Sequence, residues 1–404
     1  MAFASMRELD LHAASPTQMD ANRAHPYRVV SLFSGAMGLD IGLEQAGLKT
    51  VVAQDIDPWC VQTIRMNGHV AVQGDLKALL DQDTSGKFLL AAAGIDEQDI
   101  FAVVGGPPCQ PFSTAGKRLG TTDHRGQLYE SFFSVVAALR PRFFVMENVK
   151  GLGSMRSDPA DAASPPVLDD ILSIADRLGY RTVHGVLDAV HYGAPQFRER
   201  LVVIGSRDGE NVFLPIPSHF PHHQDDALRW KTVGQAISDL GEVKACARFS
   251  PNIQKYLSMV PEGGNWRSLP VDAQKQAMGG AFSSGGGKVG FFRRLSSKEP
   301  SPTLVTSPVQ KATLLAHPHE LRPLSVSEYA RLQGFPDNWH IEGKLNDCYR
   351  QIGNAVPIPL GRAIGQVLVA VAEGSATVRV KRMRGTSVHQ RVAPRLPEKA
   401  EDSE

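Results

Sequence analysis

Short apolar runs alternate with helical patterns through the first half of the chain. Five runs are rich in Val, Ile and Phe and are bounded by Gly, Pro or Asp, as buried strands are: YRVVSLF, KTVVAQDI, FAVVGG, RFFVMENV and RLVVIGS. Apolar residues recur at helical spacing in three segments between these runs: PWCVQTIRMNG, QLYESFFSVVAALRP and VLDDILSIADRLGY. This alternation predicts an α/β fold with a doubly wound, mostly parallel sheet, whose ligands bind beyond the carboxyl ends of the strands.

The pattern changes after Arg207. Residues 208 to about 320 are rich in Pro, Gly, His and Ser without a sustained period, which indicates a second, smaller, loop-rich domain. Helical periodicity returns in LSVSEYARLQG and in LGRAIGQVLVAVAEG, and the second of these is placed to cover the first sheet. We predict five parts: a mobile N-terminal tail (1–26), a first domain (27–207), a second domain (208–345), a return to the first domain (346–374) and a charged C-terminal tail (375–404).

Composition excludes several classes of protein. The 404 residues are 42% hydrophobic and 21% charged, as in an ordinary globular chain, and their net charge of +1 leaves a nucleic-acid partner undecided. We see no apolar run approaching the roughly 20 residues that span a bilayer and no signal peptide, so we expect a cytoplasmic protein without a membrane partner. The four cysteines form no CxxC pair, which argues against a metal site and a disulfide framework.

Two loops at predicted strand ends are candidates for ligand binding. LFSGAMGLDIGLEQAG follows the first strand, and its glycines would let the backbone approach a ligand, although simple strand-to-helix punctuation fits equally well. The second strand ends at Asp55, where a carboxylate can hold a ribose hydroxyl pair. Asp57 precedes Pro58 and fits a helix N-cap better.

Four further residues lie at the ends of predicted strands. Cys109 lies in GGPPCQPFS, where three prolines and two glycines make a stiff, shaped loop; this favours a reactive thiol over a packed one. Glu147 ends the next strand in MENV and is a candidate acid. Arg198 and Arg200 alternate in QFRER, so both lie on one face and can act as fixed donors to a carbonyl or phosphate.

In this combination and order the motifs resemble those of the bacterial DNA (cytosine-5)-methyltransferases. SLFSGAMG is similar to their cofactor loop, DID to the ribose-binding acid, GDL to the adenine-side acid and GGPPCQPFS to the nucleophile loop. MENV is similar to the proton-donor strand, QFRER to the base-contacting arginines, RPLSVSEYARLQGFP to the element that organises the recognition domain, and QIGNAVPIPL to the returning cofactor wall. The motifs extend from about residue 31 to 365.

The resemblance implies a Rossmann-like methyltransferase sheet and a covalent mechanism. The family's cysteine, here Cys109, attacks C6 of a flipped-out cytosine, and C5 then receives the methyl group of S-adenosyl-L-methionine. Glu147 would contact N3 and the exocyclic amine, and Arg200 would hold O2. Arg198 would support loop or phosphate geometry.

The resemblance also assigns a set of cofactor-binding residues. They are Phe33, Gly35, Gly38, Asp55, Ile56, Asp75, Leu76, Leu128, Asn354 and Ala355. Three positions depart from the family pattern: Ser31 replaces the usual aspartate, Met37 a glycine, and Asp55 the commoner glutamate. We therefore expect the site to exist with an altered fine geometry.

The second domain is expected to recognise a specific sequence in double-stranded DNA. SSGGGKVGFFRR has the flexibility and positive charge of a DNA-facing loop, although a plain glycine linker is the alternative. We predict DNA contacts at Gln110, Ser113, Lys288, Arg293 and Arg294. The resemblance allows a cognate restriction endonuclease that acts independently.

Three competing functions are weaker. An RNA cytosine methyltransferase of this fold tends to lack a long recognition domain and to carry a CFT motif, which is not found here. A non-enzymatic DNA-binding relative would have lost Cys109 or Glu147, and this chain keeps both. A small-molecule methyltransferase would not require the thiol loop, QFRER and a recognition domain together.

Overall fold

One mixed sheet organises the first domain of the computed structural model, which describes residues 14–95, 100–108, 128–156, 164–241, 245–283, 288–375 and 391–392. The strands within these residues are β1 (Arg28–Leu32), β2 (Lys49–Asp55), β3 (Ala71–Gln73), β4 (Ala102–Gly105), β5 (Phe143–Val149), β6 (Arg181–Asp188), β7 (Glu199–Ser206) and β8 (Arg391–Val392). Their order across the sheet is β3-β2-β1-β4-β5-β7-β6-β8.

Strand direction confirms the predicted doubly wound, mostly parallel sheet. Strands β1 to β5 run parallel to one another, whereas β7 is antiparallel to both β5 and β6. The order reverses between β1 and β4, because β2 and β3 extend to one side and β5 to the other. Ligands of such sheets bind at the carboxyl ends beside this reversal.

Helices cover both faces of the sheet and build the second domain. They are α1 (Pro16–Ala24), α2 (Gly38–Gln45), α3 (Pro58–Met66), α4 (Leu76–Gln82), α5 (Lys87–Ala93), α6 (Leu128–Leu139), α7 (Val167–Arg177), α8 (Val233–Ile237), α9 (Pro251–Leu257), α10 (Val271–Met278), α11 (Val326–Gln333), α12 (Leu345–Asn354) and α13 (Ile358–Ala372). Along β5, Phe144 and Met146 pack with α6, whereas Phe143 and Val145 pack on the face that α13 covers. The continuous apolar run in β5 therefore reflects burial on both faces.

The contact between α2 and α13 is a close backbone packing. A Cβ atom added at Gly42 would lie 2.5 Å from the Ile358 carbonyl oxygen, and one added at Gly361 would lie 2.7 Å from that of Leu39. Any larger side chain would push the helices apart. This contact returns the last helix to the first sheet, as its amphipathic pattern predicted.

The N-terminal segment is not a mobile tail over its whole predicted length. Residues 16–24 form α1, and Ser15 and Gln18 form a capping box at its start. Asn22 Nδ2 donates a 3.0 Å hydrogen bond to the Ala93 carbonyl, and Ala14 is buried in the core. The prediction is wrong for residues 14–25, because local capping and core contacts fix them; residues 1–13 lie outside the described part of the chain.

The second domain has a small apolar core of its own. Its members include Phe249, Leu257, Trp266, Phe292 and Leu314, which come from α9, short 3-10 turns and loops. Because these elements are short, no helical or strand period persists in the sequence. The predicted loop-rich character follows from this construction.

Within the described residues, one stretch, Leu345–Ala372, is long and apolar enough to cross a membrane by length and composition alone, and 61% of its apolar 18-residue window is buried. It comprises α12 and α13, which are separated at Ala355–Pro357 and pack in the core. The prediction that no apolar stretch reaches this length overlooked that the two helices adjoin. Their burial explains their apolar composition.

Candidate active site

A cleft of about 750 Å³ lies at the carboxyl ends of the central strands. The ends of β1, β2, β4 and β5 form its floor, and two segments that return from the second half of the chain form a wall. The predicted residues that line it are Phe33, Gly35, Gly38, Asp55, Ile56, Glu147, Arg198, Arg200, Asn354 and Ala355. Residues predicted separately as catalytic and as cofactor-binding thus share one cleft.

The loop after β1 has a backbone shape suited to close approach by a ligand. Phe33, Gly35 and Met37 have φ values of 53°, 56° and 65°. Residues other than glycine rarely adopt this left-handed backbone conformation. A Cβ atom at Gly38 would lie 2.3 Å from the Val356 carbonyl oxygen, so the returning wall touches the loop only because residue 38 is glycine. Met37 stands where the resemblance led us to expect a glycine, and its side chain is buried in the core.

Asp55 fastens this loop to the end of β2. Its Oδ2 accepts a 2.7 Å hydrogen bond from the Gly35 amide, and its Oδ1 accepts a 2.8 Å hydrogen bond from the Asp57 amide. Burial raises the pKa of Asp55 above its ordinary value, while these amides act in the opposite direction. The sequence predicted a ligand contact here and missed this fastening role. Asp57 caps α3 through the Trp59 amide, as predicted.

Glu147 and Arg200 form a buried pair at the end of β5. Arg200 Nε lies 2.6 Å from Glu147 Oε1, because antiparallel β7 brings Arg200 beside the end of β5. Burial raises the pKa of Glu147, and it outweighs the opposing effects of Arg200 and Arg198. A Cβ atom at Gly106 would lie 2.8 Å from Glu147 Oε2, so glycine there lets the β4 loop approach the carboxyl group. A carboxyl group of raised pKa with a fixed guanidinium neighbour can donate a proton or a hydrogen bond.

The loop after β4 is joined to the same strand end. Asn148 is buried, and its Nδ2 donates a 2.8 Å hydrogen bond to the Pro107 carbonyl. This contact fixes the start of the proline-rich loop beside Glu147. The predicted nucleophile Cys109 and the predicted DNA contacts Gln110 and Ser113 lie outside the described residues.

Arg198 lines the cleft but has a structural role in its wall. It is 2% exposed, and its guanidinium donates 2.8 Å hydrogen bonds to the carbonyls of Leu304 and Gly353. Burial lowers the pKa of Arg198 to about 9. The side chain therefore holds two backbone segments of the returning wall together, which suits the supporting role predicted for it better than a base contact.

Three predicted cofactor residues do not line the cleft. Asp75 is exposed and caps α4 by accepting a 3.0 Å hydrogen bond from the Ala78 amide. Leu76 is buried in the core, and Leu128 is the first residue of α6. Asp75 and Leu76 follow β3, which is one strand further from the point of reversal than β2. These residues stay predictions without support from the cleft geometry.

The predicted DNA-contacting cations of the second domain are tied to main-chain carbonyls. Arg294 is 8% exposed and donates to the carbonyls of Val260, Leu257 and Glu320 at 2.9 to 3.1 Å. This burial contradicts the predicted DNA contact, because the guanidinium is used to hold loops of its own domain. Arg293 Nε donates to the Leu314 carbonyl at 3.0 Å, and Lys288 Nζ to that of Phe282 at 2.8 Å.

Several cleft residues escaped sequence reasoning. They are polar side chains without a recognisable motif of their own: Asp40, Cys60, Gln310 and Arg350. Arg350 pairs with the carboxylate of Asp57 and donates a 2.7 Å hydrogen bond to Asp347 Oδ1, so it joins α12 to the start of α3. Only the tertiary fold brings these distant positions together. Within the described ranges, no group of three His, Cys, Asp or Glu residues is arranged to hold a metal ion.

This chain is similar to known proteins in both sequence and fold. Residues 27–370 match the family model described as C-5 cytosine-specific DNA methylase. The type II methyltransferase M.PspPI of Psychrobacter sp. is 37% identical over 356 residues, which cover 87% of this chain and 81% of that protein. The type II methyltransferase M.Eco47II of Escherichia coli is 40% identical over 350 residues, which cover 85% of this chain and 79% of that protein.

Solved structures share the architecture. A DNA modification methyltransferase encoded within an E. coli prophage aligns with a TM-score of 0.59 and 24% identity, covering 86% of this chain and 99% of that one. The S. pombe Dnmt2 methyltransferase aligns with a TM-score of 0.53 and 21% identity, covering 86% and 99%. With the family match over residues 27–370, the chain belongs to the C-5 cytosine-specific DNA methylase family and is a DNA (cytosine-5)-methyltransferase.

Proposed function

We propose that this enzyme methylates C5 of a flipped-out cytosine in a specific double-stranded DNA sequence, through a covalent bond between Cys109 and C6. One observation supports this most directly. The buried Glu147–Arg200 pair and the glycine loop after β1 line the same cleft, so a base held by the pair would face a ligand held by the loop. The reacting partners would therefore meet without a further rearrangement of the floor.

The residues present fit S-adenosyl-L-methionine as the cofactor. Ile56 is 58% exposed and lines the cleft, so it offers an apolar surface to an adenine ring. Asp55 stands at the end of β2, where a ribose is held in sheets of this type. Because Gly38 has no side chain, the Val356 carbonyl approaches it closely, and backbone groups line the base of the cleft there. When bound, the cofactor supplies an electrophilic methyl group.

Cytosine C5 is a poor nucleophile, and covalent addition at C6 makes it reactive enough to accept a methyl group. The Cys109 thiolate would add to C6, the electrons of the C5–C6 double bond would shift into the C4–C5 bond, and those of the C4–N3 double bond would move to N3, which takes a proton from Glu147. C5 is then the nucleophilic carbon of an enamine. Arg200 stabilises the developing charge at O2. C5 would take the methyl group with its enamine electrons. A base would then remove the C5 proton, the C5–C6 double bond would re-form as the Cys109 thiolate leaves C6, and N3 would return its proton to Glu147.

The target cytosine must leave the helix, because C6 is inaccessible within a stacked duplex. The second domain, from residue 208 to 345, would read the surrounding sequence from base edges. The similarity to type II methyltransferases supports a role in restriction–modification, in which methylation in the cytoplasm protects DNA from an independently acting endonuclease.

The test is the covalent step. We expect Cys109→Ser to abolish methylation and to retain cofactor binding, whereas Cys246→Ser, the same change at a half-buried thiol of the second domain, should remain active. A duplex with 5-fluorocytosine at the target should trap the wild type irreversibly, because fluorine cannot leave as a proton does. Bisulfite sequencing of DNA from cells that express the protein would identify the target. Methylation by Cys109→Ser would refute the mechanism.

A further inference from the structure

Asp40 is a buried carboxylate in the lining of the cleft. It belongs to the first turn of α2 and is 1% exposed. Its Oδ1 accepts a 3.1 Å hydrogen bond from the Thr50 hydroxyl. Its Oδ2 is buried and has no hydrogen-bond partner of acceptable geometry. One of the two carboxylate oxygens therefore has no hydrogen bond of acceptable geometry, although the Ser31 hydroxyl lies near enough to favour the charged form.

Nothing in the described part of the chain neutralises Asp40. No Lys, Arg or His among the described residues forms an ion pair with it, and the nearby Glu44 is of the same charge. Burial, with Glu44, raises the pKa of Asp40 to about 7, and the neighbouring Ser31 and Thr50 hydroxyls only partly oppose this. A buried carboxylate without a counter-charge is unfavourable, so a cationic group that reaches it is bound favourably.

Ser31 marks the position from which an acid is missing. It is the penultimate residue of β1 and lies near Asp40, and its hydroxyl accepts a 2.8 Å hydrogen bond from Ser34. This is the serine that replaces an aspartate of the family pattern. The cleft therefore has a carboxylate on α2 next to a strand end that lacks one.

We propose that Asp40 receives the α-ammonium group of S-adenosyl-L-methionine, an inference that rests on the proposed function. The cofactor has two cationic centres, and only the ammonium carries N–H donors. Oδ2 lacks a hydrogen-bond donor as well as a counter-charge, so the ammonium satisfies both needs and the sulfonium only one. The acid that the strand end lacks is supplied from the adjacent helix.

The test compares two ligands that differ by one group. S-adenosylhomocysteine keeps the α-amine, and 5′-(3-carboxypropylthio)adenosine is the same molecule without it. By titration calorimetry, we expect the wild type to prefer the amine-bearing ligand by roughly 10- to 100-fold, as for a charge-assisted hydrogen bond. In Asp40→Asn, which keeps the acceptor for Thr50, the preference should fall below about 3-fold.

Two further variants make the comparison decisive. Glu44→Gln is the matched control, because it makes the same change one turn along α2 at a residue outside the cleft lining, and it should keep the wild-type preference. The double variant Ser31→Asp/Asp40→Asn returns the acid to the strand and should regain the preference. If Asp40→Asn alone does not fold, as judged by circular dichroism, the double variant replaces it in the titration.

The outcomes separate this inference from the proposed function. A wild type that binds neither ligand would refute the proposed cofactor, and with it the inference. A wild type that prefers S-adenosylhomocysteine would support the cofactor. The role of Asp40 would then be overturned if Asp40→Asn kept that preference, or if the double variant failed to show it.

Discussion

At the scale of single residues, burial and charge act against each other in the cleft. Glu147 is paired with Arg200 at 2.6 Å, which favours the carboxylate, yet its burial is the larger effect and raises its pKa. A raised pKa makes protonation of this carboxyl group easier, which suits a group that shares a proton with N3. Arg200 keeps the group oriented in either protonation state.

Replacing Glu147 by glutamine should lower kcat by roughly 10²- to 10⁴-fold, because the amide keeps the shape but cannot transfer a proton. Steady-state kinetics on a target duplex would measure the loss. Glu199→Gln is the control, since Glu199 is an exposed neighbour on β7 that pairs with Lys150 at 2.9 Å. If DNA affinity fell while kcat stayed unchanged, Glu147 would contribute to DNA binding and not to proton transfer.

Asp40→Asn should stabilise the ligand-free protein, and more so as pH rises. Burial raises the folded-state pKa of Asp40 to about 7, above its ordinary value of 3.8, so the neutral form is the favoured one in the fold. The wild type therefore loses stability as pH rises through this interval, by an amount on the order of a few kcal/mol.

Thermal unfolding at pH 5 and pH 8.5 would measure this effect. The gain of Asp40→Asn should be larger at pH 8.5, because asparagine cannot ionise. Glu44→Gln is measured in parallel, since Glu44 is the ionisable neighbour that raises the pKa of Asp40. An equal gain at both pH values would contradict the prediction.

At the scale of elements, the site depends on how closely α13 approaches α2. The backbone contact at Gly42 and Gly361 sets the position of the segment that precedes α13, and this segment carries Asn354 and Ala355 into the cleft. A small change in helix separation would therefore move the cofactor wall as a unit.

Gly42→Ala should destabilise the protein by about 1 to 3 kcal/mol, because its Cβ atom would lie 2.5 Å from the backbone of α13. Gly153→Ala is the control: nothing lies within 4 Å of a Cβ there, and the change should stay within about 0.5 kcal/mol. Thermal unfolding would measure both, and titration with S-adenosylhomocysteine should show weaker binding only for Gly42→Ala. Equal stability of the two variants would contradict the close-packing argument.

The sequence predicted those elements whose burial leaves a clear pattern. The strands β1, β2, β4, β5 and β7 are continuous apolar runs, and α13 has a helical period. The strand β6 escaped prediction because RTVHGVLD is buried on alternate positions only and contains His and Gly. Helix α1 escaped because its stability comes from capping and from contacts with Ala93 and Gly68, not from an apolar stripe.

Residue roles were harder to predict where burial reverses the expected behaviour of a charge. Arg294 looked like a DNA contact because Arg, Gly and aromatic residues surround it in sequence, but the fold buries it among carbonyls. Asp40 lies within the predicted ligand loop LFSGAMGLDIGLEQAG, but nothing in its sequence position shows that its carboxylate is buried. In both cases the deciding quantity is tertiary burial, which a local pattern does not contain.

At the scale of the whole molecule, buried polar side chains join the two domains. Gln196 Nε2 donates to the Leu332 carbonyl at 2.9 Å and to Gln333 Oε1 at 2.7 Å, and Gln333 Nε2 donates to the Ile352 carbonyl at 2.7 Å. With the bonds from Arg198 to Leu304 and Gly353, they connect β7, α11 and α12. The segment from 301 to 345 is thus part of the catalytic framework as much as of the second domain.

This connection sharpens the test of how chemistry and recognition are divided. Exchanging residues 208–300 for the equivalent segment of a relative with another specificity should move the target sequence. Leu304, Gln333 and the cleft wall remain in place, so affinity for S-adenosylhomocysteine should stay within about 3-fold, a change of under 1 kcal/mol. Bisulfite mapping would give the new target and calorimetry the affinity.

A second chimera, extended to residue 345, is the informative comparison. It replaces Leu304, Leu332 and Gln333, which Gln196 and Arg198 contact, so it should lose stability and cofactor affinity even if it reads the new sequence. If residues 208–300 read the DNA, both chimeras should acquire the new target, and only the longer one should lose stability and cofactor affinity. If the shorter chimera kept the original target while the longer one acquired the new target, the residues that read DNA would lie between 301 and 345, beside the cleft itself.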